Sequence, residues 1–229
     1  MASVYTNDLR LEEIGSGEQS GSWGDTTNTN LELIAEAFAF GTETITTNAN
    51  THVTTIADGA SDPGRAMFLK YGGALDSACT ITLGPNTVSK MWFIHNATTD
   101  NSGDSSGPFS IIIAQGDGDT KVTIPNGHVK AVYSNGGGSG AVITDAFAAL
   151  SVVDLLVDDA LTVTGATTTT GTLTVGVDDT GYDVKFFGDT ASAYMLWDAS
   201  ADDLILGVVP SAEPKPICKA SSLSSKPTW

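Results

Sequence analysis

The residues that could do chemistry in this chain are few and scattered. His52, His95 and His128 fall in three different strand or turn segments, with no partner at metal-ligand spacing, and read as partly exposed β residues. Cys79 and Cys218 lie far apart in different kinds of sequence, which fits neither a disulfide framework nor a zinc site. Asp117 and Asp119 in "GDGD", and Asp178, Asp179 and Asp183 in "DDTGYD", sit on glycine-containing turns where oxygen ligands could gather round calcium. Neither completes a D-x-[DN]-x-[DN]-G loop, so both read as turns in which aspartate satisfies its own loop backbone. Asp202 and Asp203 are a candidate glycosidase pair only by type. Adjacent strand residues point to opposite faces and share no cleft. A Ser-His-Asp arrangement lacks a G-x-S-x-G elbow to hold its nucleophile. The glycines of "GSGEQSGSWG" match no phosphate-binding loop, lack a lysine, and place Glu18 where a phosphate would be repelled. No catalytic residue, metal or cofactor is expected, and the chain does not read as an enzyme.

Composition excludes further classes. The net charge of −17 repels nucleic acid and anionic membranes, since neither gains counterion-release energy from a partner without a basic patch. No apolar run is long enough to cross a bilayer, and "MASVYTNDLR" has no basic region followed by an apolar one, so membrane insertion and an ordinary secretion signal are not expected. Charged residues make up only 16%, and threonine, serine, asparagine and aspartate fill the surface-like positions. Together with abundant valine and threonine this points to a mainly β chain.

The elements follow from pattern. Thr29 is placed as N-cap with Glu32 three residues on, and Leu31, Ile34 and Phe38 fall at helical spacing before Gly41, which predicts a helix of about ten residues. Alone it is marginal in water, so its apolar face, widened by Leu33 and Phe40, needs a partner that could belong to another chain. Trp23 could be a core residue or an intersubunit or docking anchor. From about 42 to 143, strand candidates separated by Gly, Asn, Asp and Pro turns predict a central antiparallel β-sandwich or barrel. Its expected core is Phe68, Trp92, Ile94, Ile112, Val122, Ile124, Val132 and Tyr133. Residues 144–157 echo the opening helix and are expected to form a short helix and connector.

Directly afterwards "LTVTGATTTTGTLTVG" repeats Leu-Thr-Val, with Leu161 and Val163 in one copy and Leu173 and Val175 in the next. Each copy has one thin apolar face, too little for a core of its own, and such strands favour an intertwined homo-oligomeric stalk. Strand periodicity continues through Phe186 and Leu196, so 158–206 is expected to form a C-terminal intertwined trimeric β shaft, followed by an extended tail over 207–229.

"LRLEEIGSGEQSGSWGDTTNTNLELIAEAF" (9–38) resembles the N-terminal segment of tail-fibre and fibre-like virion proteins of tailed phages, especially of marine phages and cyanophages. "DVKFFGDTASAYMLWDASADDLIL" (183–206) is similar to a shaft module of the same group, and "GRAMFLKY" through "VTIPNGHVKAVYSNGG" to its intervening β domain. The resemblance implies a homotrimeric structural protein of the virion, assembled in the host cytoplasm, with residues 1–41 as the attachment segment. Leu9, Leu11, Trp23, Gly24, Asn28, Asn30 and Leu31 match the attachment motif. The implied partners are a tail or baseplate protein of the same virion, another fibre protein, or a host-surface glycan. Other readings are a glycan-binding receptor-recognition protein, a capsid-bound fibre and a tailspike-like polysaccharide hydrolase.

Overall fold

Residues 2–207 are described by the computed structural model. The chain divides into two units, one ending at Leu155 and the other beginning at Leu156. Both are mainly β, and among the described residues there is one α-helix, α1 (Trp23–Ala37), near the N-terminus.

In the first unit the strands are β1 (Phe40–Thr44), β2 (Thr51–Thr55), β3 (Phe68–Gly72), β4 (Ala74–Leu75), β5 (Cys79–Gly84), β6 (Met91–Asn96), β7 (Thr99–Asp100), β8 (Ile111–Ala114), β9 (Val122–Ile124), β10 (Val129–Ser134) and β11 (Ile143–Asp145). They form a five-stranded sheet ordered β1-β3-β6-β10-β11, a four-stranded sheet ordered β2-β5-β8-β9, and a two-stranded β4-β7 sheet. Pairing is parallel from β1 to β3 to β6, from β2 to β5 to β8, and between β4 and β7. Antiparallel β9, β10 and β11 close the far end.

This corrects the expected antiparallel sandwich or barrel: both large sheets are mixed, and the chain stacks three successive coils. Each coil places one strand in each large sheet, so the strand in the opposite sheet serves as the crossover that parallel neighbours require. The sequence carries a signal for this, since matched strands recur roughly every 25 to 32 residues, a period typical of stacked coils.

The core lies between the sheets. Leu69, Tyr71, Ile81, Leu83, Ile94, Ile111, Ile113, Ile124 and Ile143 point inward and are buried. Of the residues expected there, Trp92, Ile94, Val122, Ile124 and Val132 are buried, whereas Phe68 and Ile112 are half-buried and Tyr133 is exposed. Phe68, Ile112 and Tyr133 occupy outward positions, because strand parity is fixed by the coil register. The first coil turns a more polar face inward: Gly41, Glu43, His52 and Thr54 stand where the next coil has Leu69, Tyr71, Ile81 and Leu83. Terminal units of a stack need such polarity, having no neighbour on one side. Gly41 also allows close approach, because a Cβ there would lie 2.5 Å from the Pro63 carbonyl oxygen.

Helix α1 begins six residues earlier than the expected cap. Ser22 is the N-cap, Asp25 lies in the first turn, and Thr29 sits inside the helix. Leu33 and Ala37 are buried, and Glu36 Oε1 accepts a hydrogen bond from the Asp62 amide at 2.6 Å, fixing the helix beside the 3-10 turn Pro63–Arg65. The expected helix over 144–157 is absent. β11 is followed by a turn capped by Asp145 Oδ1, which accepts from the Phe147 amide, and no regular element follows up to residue 157. Val152 and Val153 disfavour a helix there, and the apolar side chains of this stretch are exposed.

The second unit holds an antiparallel meander of β12 (Val184–Phe187), β13 (Tyr194–Asp198) and β14 (Asp203–Gly207). Residues 158–176 contain no regular strand, and one isolated bridge joins Val177 to Thr180.

Candidate functional site

One polar cluster lies at the first coil. Glu43 Oε2 lies 2.7 Å from His52 Nε2 and accepts a 2.7 Å hydrogen bond from the Thr54 hydroxyl, which also lies 2.6 Å from the Tyr71 hydroxyl. A carboxylate beside an imidazole resembles half of a triad. The hydroxyl, however, donates to the carboxylate and not to the ring, so the histidine does not stand where a triad's base takes the nucleophile's proton. The group satisfies the inward polar atoms of the terminal coil. Burial, reinforced by the charge of Glu43, raises the Tyr71 phenol well above its usual range.

Beneath α1 lies a second cluster. Arg65 is fully buried, and its Nη2 donates to the Ala57 and Ala60 carbonyls at 2.8 and 2.7 Å. Glu36 Oε2 is 4.0 Å from Arg65 Nε, while Nε and Nη1 have no hydrogen-bond partner. Lys90 donates to the Arg65 carbonyl and lies 4.9 Å from the Trp92 ring centroid. Burial, aided by the neighbouring Arg65 charge and opposed by Glu36, lowers the Lys90 ammonium to about 8. The unfolded lysine keeps its proton up to about 10.5. The unfolded state therefore binds more protons between pH 8 and 10, and stability is expected to rise through that window by at most about 1.4 kcal/mol per pH unit. Above pH 10 the raised Tyr71 reverses the trend, because the folded phenol holds a proton that the unfolded one releases. In Lys90→Met the rise should flatten. Urea midpoints measured every half pH unit in both proteins check this, and equal slopes would refute it.

The acidic turns remain apart. Asp117 and Asp119 are exposed, Asp183 accepts from the Ala199 amide, and Asp203 pairs across the strand from Asp198. Among the described residues, no three His, Cys, Asp or Glu side chains are placed to hold a metal ion. Among the same residues, no helix is long and apolar enough to cross a membrane. Tyr182 lines an open hollow with Asp183 and Ser200; Trp197 is not part of it.

Of the attachment-motif residues, only part form a surface. Residues 2–14 make a small hairpin bridged at Val4 and Glu13. It is tied to the coils by Arg10 to Asp58 at 2.7 Å and by the Ser89 amide to Asp8 at 2.8 Å. Asn30 is a clamp: its Oδ1 accepts from the Glu12 amide at 3.0 Å and its Nδ2 donates to the Glu12 carbonyl at 2.9 Å. Leu9 and Leu11 are half-buried beside this hairpin, and Gly24 lies in the first helical turn. Trp23, Asn28 and Leu31 are exposed, Trp23 at 63%. Trp23, Leu31, Ile34 and Phe38 fall on one stripe of α1 beside the face that carries Leu33 and Ala37, and all four are exposed. The motif resemblance had omitted Ile34 and Phe38, which helical periodicity identifies.

The shaft residues also divide. Leu161, Val163, Leu173 and Val175 are exposed on chain without regular secondary structure. Phe186 pairs with Met195, and Leu196 with Lys185, so Phe186 and Leu196 lie on opposite faces of the meander. Val184, Phe186, Met195, Trp197, Leu204 and Leu206 share one wholly apolar face. The other carries Lys185, whose ammonium sits 4.1 Å from the Tyr194 ring centroid and 5.0 Å from that of Phe187. No family model, curated protein or solved structure matches this chain.

Proposed function

We propose that this chain is a structural protein of a phage virion, a tail fibre or fibre adaptor. It acts as a homotrimer that docks to the tail or baseplate through its N-terminal segment and projects a shared shaft toward the host. The observation that carries the reading is the apolar surface left uncovered from Leu150 to Leu206. The apolar side of the three-stranded meander packs on nothing within its own sheet, and copies that set those faces against each other remove them from water. Light scattering coupled to size exclusion should give three times the 23.5 kDa chain mass. A well-folded monomer would end the shared-shaft reading.

Docking is assigned to the α1 stripe. Because Leu33 and Ala37 bury α1 against the first unit, substitution at exposed positions tests docking more cleanly than deletion. Leu31→Ser with Phe38→Ser should change the stability of the isolated protein by no more than about 0.5 kcal/mol. Its incorporation into particles should fall by about tenfold or more, as for truncation of apolar anchors. Quantitative mass spectrometry of purified virions reads this, and unchanged incorporation would move the docking site elsewhere.

A host-glycan reading rests on exposed Tyr182 above its hollow. Tyr182→Ala should then abolish adsorption of the protein to host cells while leaving its incorporation intact.

A further inference from the structure

In the five-stranded sheet, the outward residues form rows across the strands. Phe40, Phe68, Phe93 and Ala131 make one row, Thr42, Lys70, His95 and Val129 the next, and Met91, Tyr133 and Thr144 a third. Phe40 stacks on Phe68 with centroids 5.4 Å apart, and Phe68 meets His95 edge-on at 6.5 Å. Phe40, Met91, Val129 and Tyr133 are exposed. No outward position in these rows is acidic, although the chain has 27 acidic residues against 10 lysines and arginines. The only ionisable side chains in the first two rows are Lys70 and His95. Such a face accepts an apolar partner carrying negative charge.

The same unit ends in a segment of that chemistry. After β11, Phe147, Leu150, Val152, Val153 and Leu155 are all exposed, Val153 at 98%, and Asp154 stands among them. Folded back on nothing, these side chains leave a large apolar area in water. Position matters as well: β11 is one edge of the five-stranded sheet and β1, with Phe40, is the other. A segment leaving the β11 edge of one copy and crossing onto the face of the next makes a head-to-tail contact, which closes into a ring where the rotation from copy to copy closes.

We infer that the acid-free aromatic face of the five-stranded sheet receives residues 147–155 of a second copy of this chain, with Asp154 near Lys70 and His95. The inference rests on the homo-oligomer proposed above and specifies which surfaces build it in the first unit. The contact combines apolar burial with one opposite-charge pairing, Asp154 to Lys70, and sets no like charges against each other.

A photo-reactive benzoylphenylalanine at position 153 of the full-length protein tests it. On irradiation of the oligomer, a covalent dimer should appear on a denaturing gel. Mass spectrometry should place the link within 40–44, 68–72, 91–96, 129–134 or 143–145 of the other copy. Lys70→Glu should lower the dimer yield several-fold at low salt. A link within one chain, a link elsewhere on the second copy, or an oligomer that gives no covalent dimer overturns the inference and leaves the oligomer standing. A monomer by light scattering overturns both.

Discussion

Replacing Asn96 with aspartate is expected to cost about 4 kcal/mol or more of stability, or to prevent folding of the first unit. Asn96 is fully buried at the end of β6. Its Nδ2 donates to the Phe109 and Ile124 carbonyls, each at 3.0 Å, and its Oδ1 accepts from the Thr98 hydroxyl at 2.7 Å and the Thr98 amide at 3.2 Å. One side chain thereby joins the third coil to β9 and to the chain entering β8. Aspartate supplies no donor, so it strands two buried carbonyls at about 1–3 kcal/mol each and sets a carboxylate against them. The sign of its pH dependence follows. That carboxyl has a folded pKa raised above the unfolded value, so the loss is full above the folded pKa and shrinks as pH falls through it, when the protonated acid donates one bond. Urea unfolding of the two proteins at pH 7 and pH 5 measures both effects. A loss under 1 kcal/mol would show that the network does not bind the coils to their cap.

The second large effect is on assembly. Phe186→Asp with Met195→Asp is expected to take the proposed homotrimer apart, leaving the mass of one chain in solution, 23.5 kDa. Both side chains stand on the apolar side of the meander, directly opposite each other across β12 and β13. Carboxylates buried there in every copy bring like charges together away from water, at a cost of several kcal/mol per ion. Leu196→Asp is the discriminating control, because Leu196 stands opposite Lys185 on the other face. It should leave the trimer intact. Light scattering at several protein concentrations reads all three proteins. If Leu196→Asp dissociates the protein and the double variant does not, the shared face has been misassigned.

Much of the architecture was legible before any coordinates. Gly, Asn and Pro turns marked the strands, valine and threonine gave them away, and helical spacing found Leu31, Ile34 and Phe38. What local pattern could not supply was the identity of strand neighbours. A strand every ten to fifteen residues reads the same in an antiparallel meander as in a stack of coils, because alternation reports which face is buried and not which strand lies beside it. The faces of Phe68, Ile112 and Tyr133 depend on that pairing, because runs of adjacent apolar residues such as Phe68-Leu69, Ile111-Ile112-Ile113 and Val132-Tyr133 leave strand parity open. The candidate site was legible in part for a similar reason. Asn30 looks like a docking residue in a motif, yet its amide is consumed by Glu12 across a distance of eighteen residues.

The sequence by itself determined the composition of the surfaces: a strongly acidic chain, mainly β, with one amphipathic helix and a threonine-rich stretch whose apolar side chains are too thinly spread to make a core. Those properties are set residue by residue, through charge, propensity and periodicity. Only the tertiary structure decided that β1, β3 and β6 run parallel, that Phe40, Phe68 and Phe93 align into one acid-free row, and that Phe186 and Leu196 face opposite ways. Each of these depends on register between segments far apart in the chain. Register is fixed by which burial satisfies all strands at once, a condition no single segment carries.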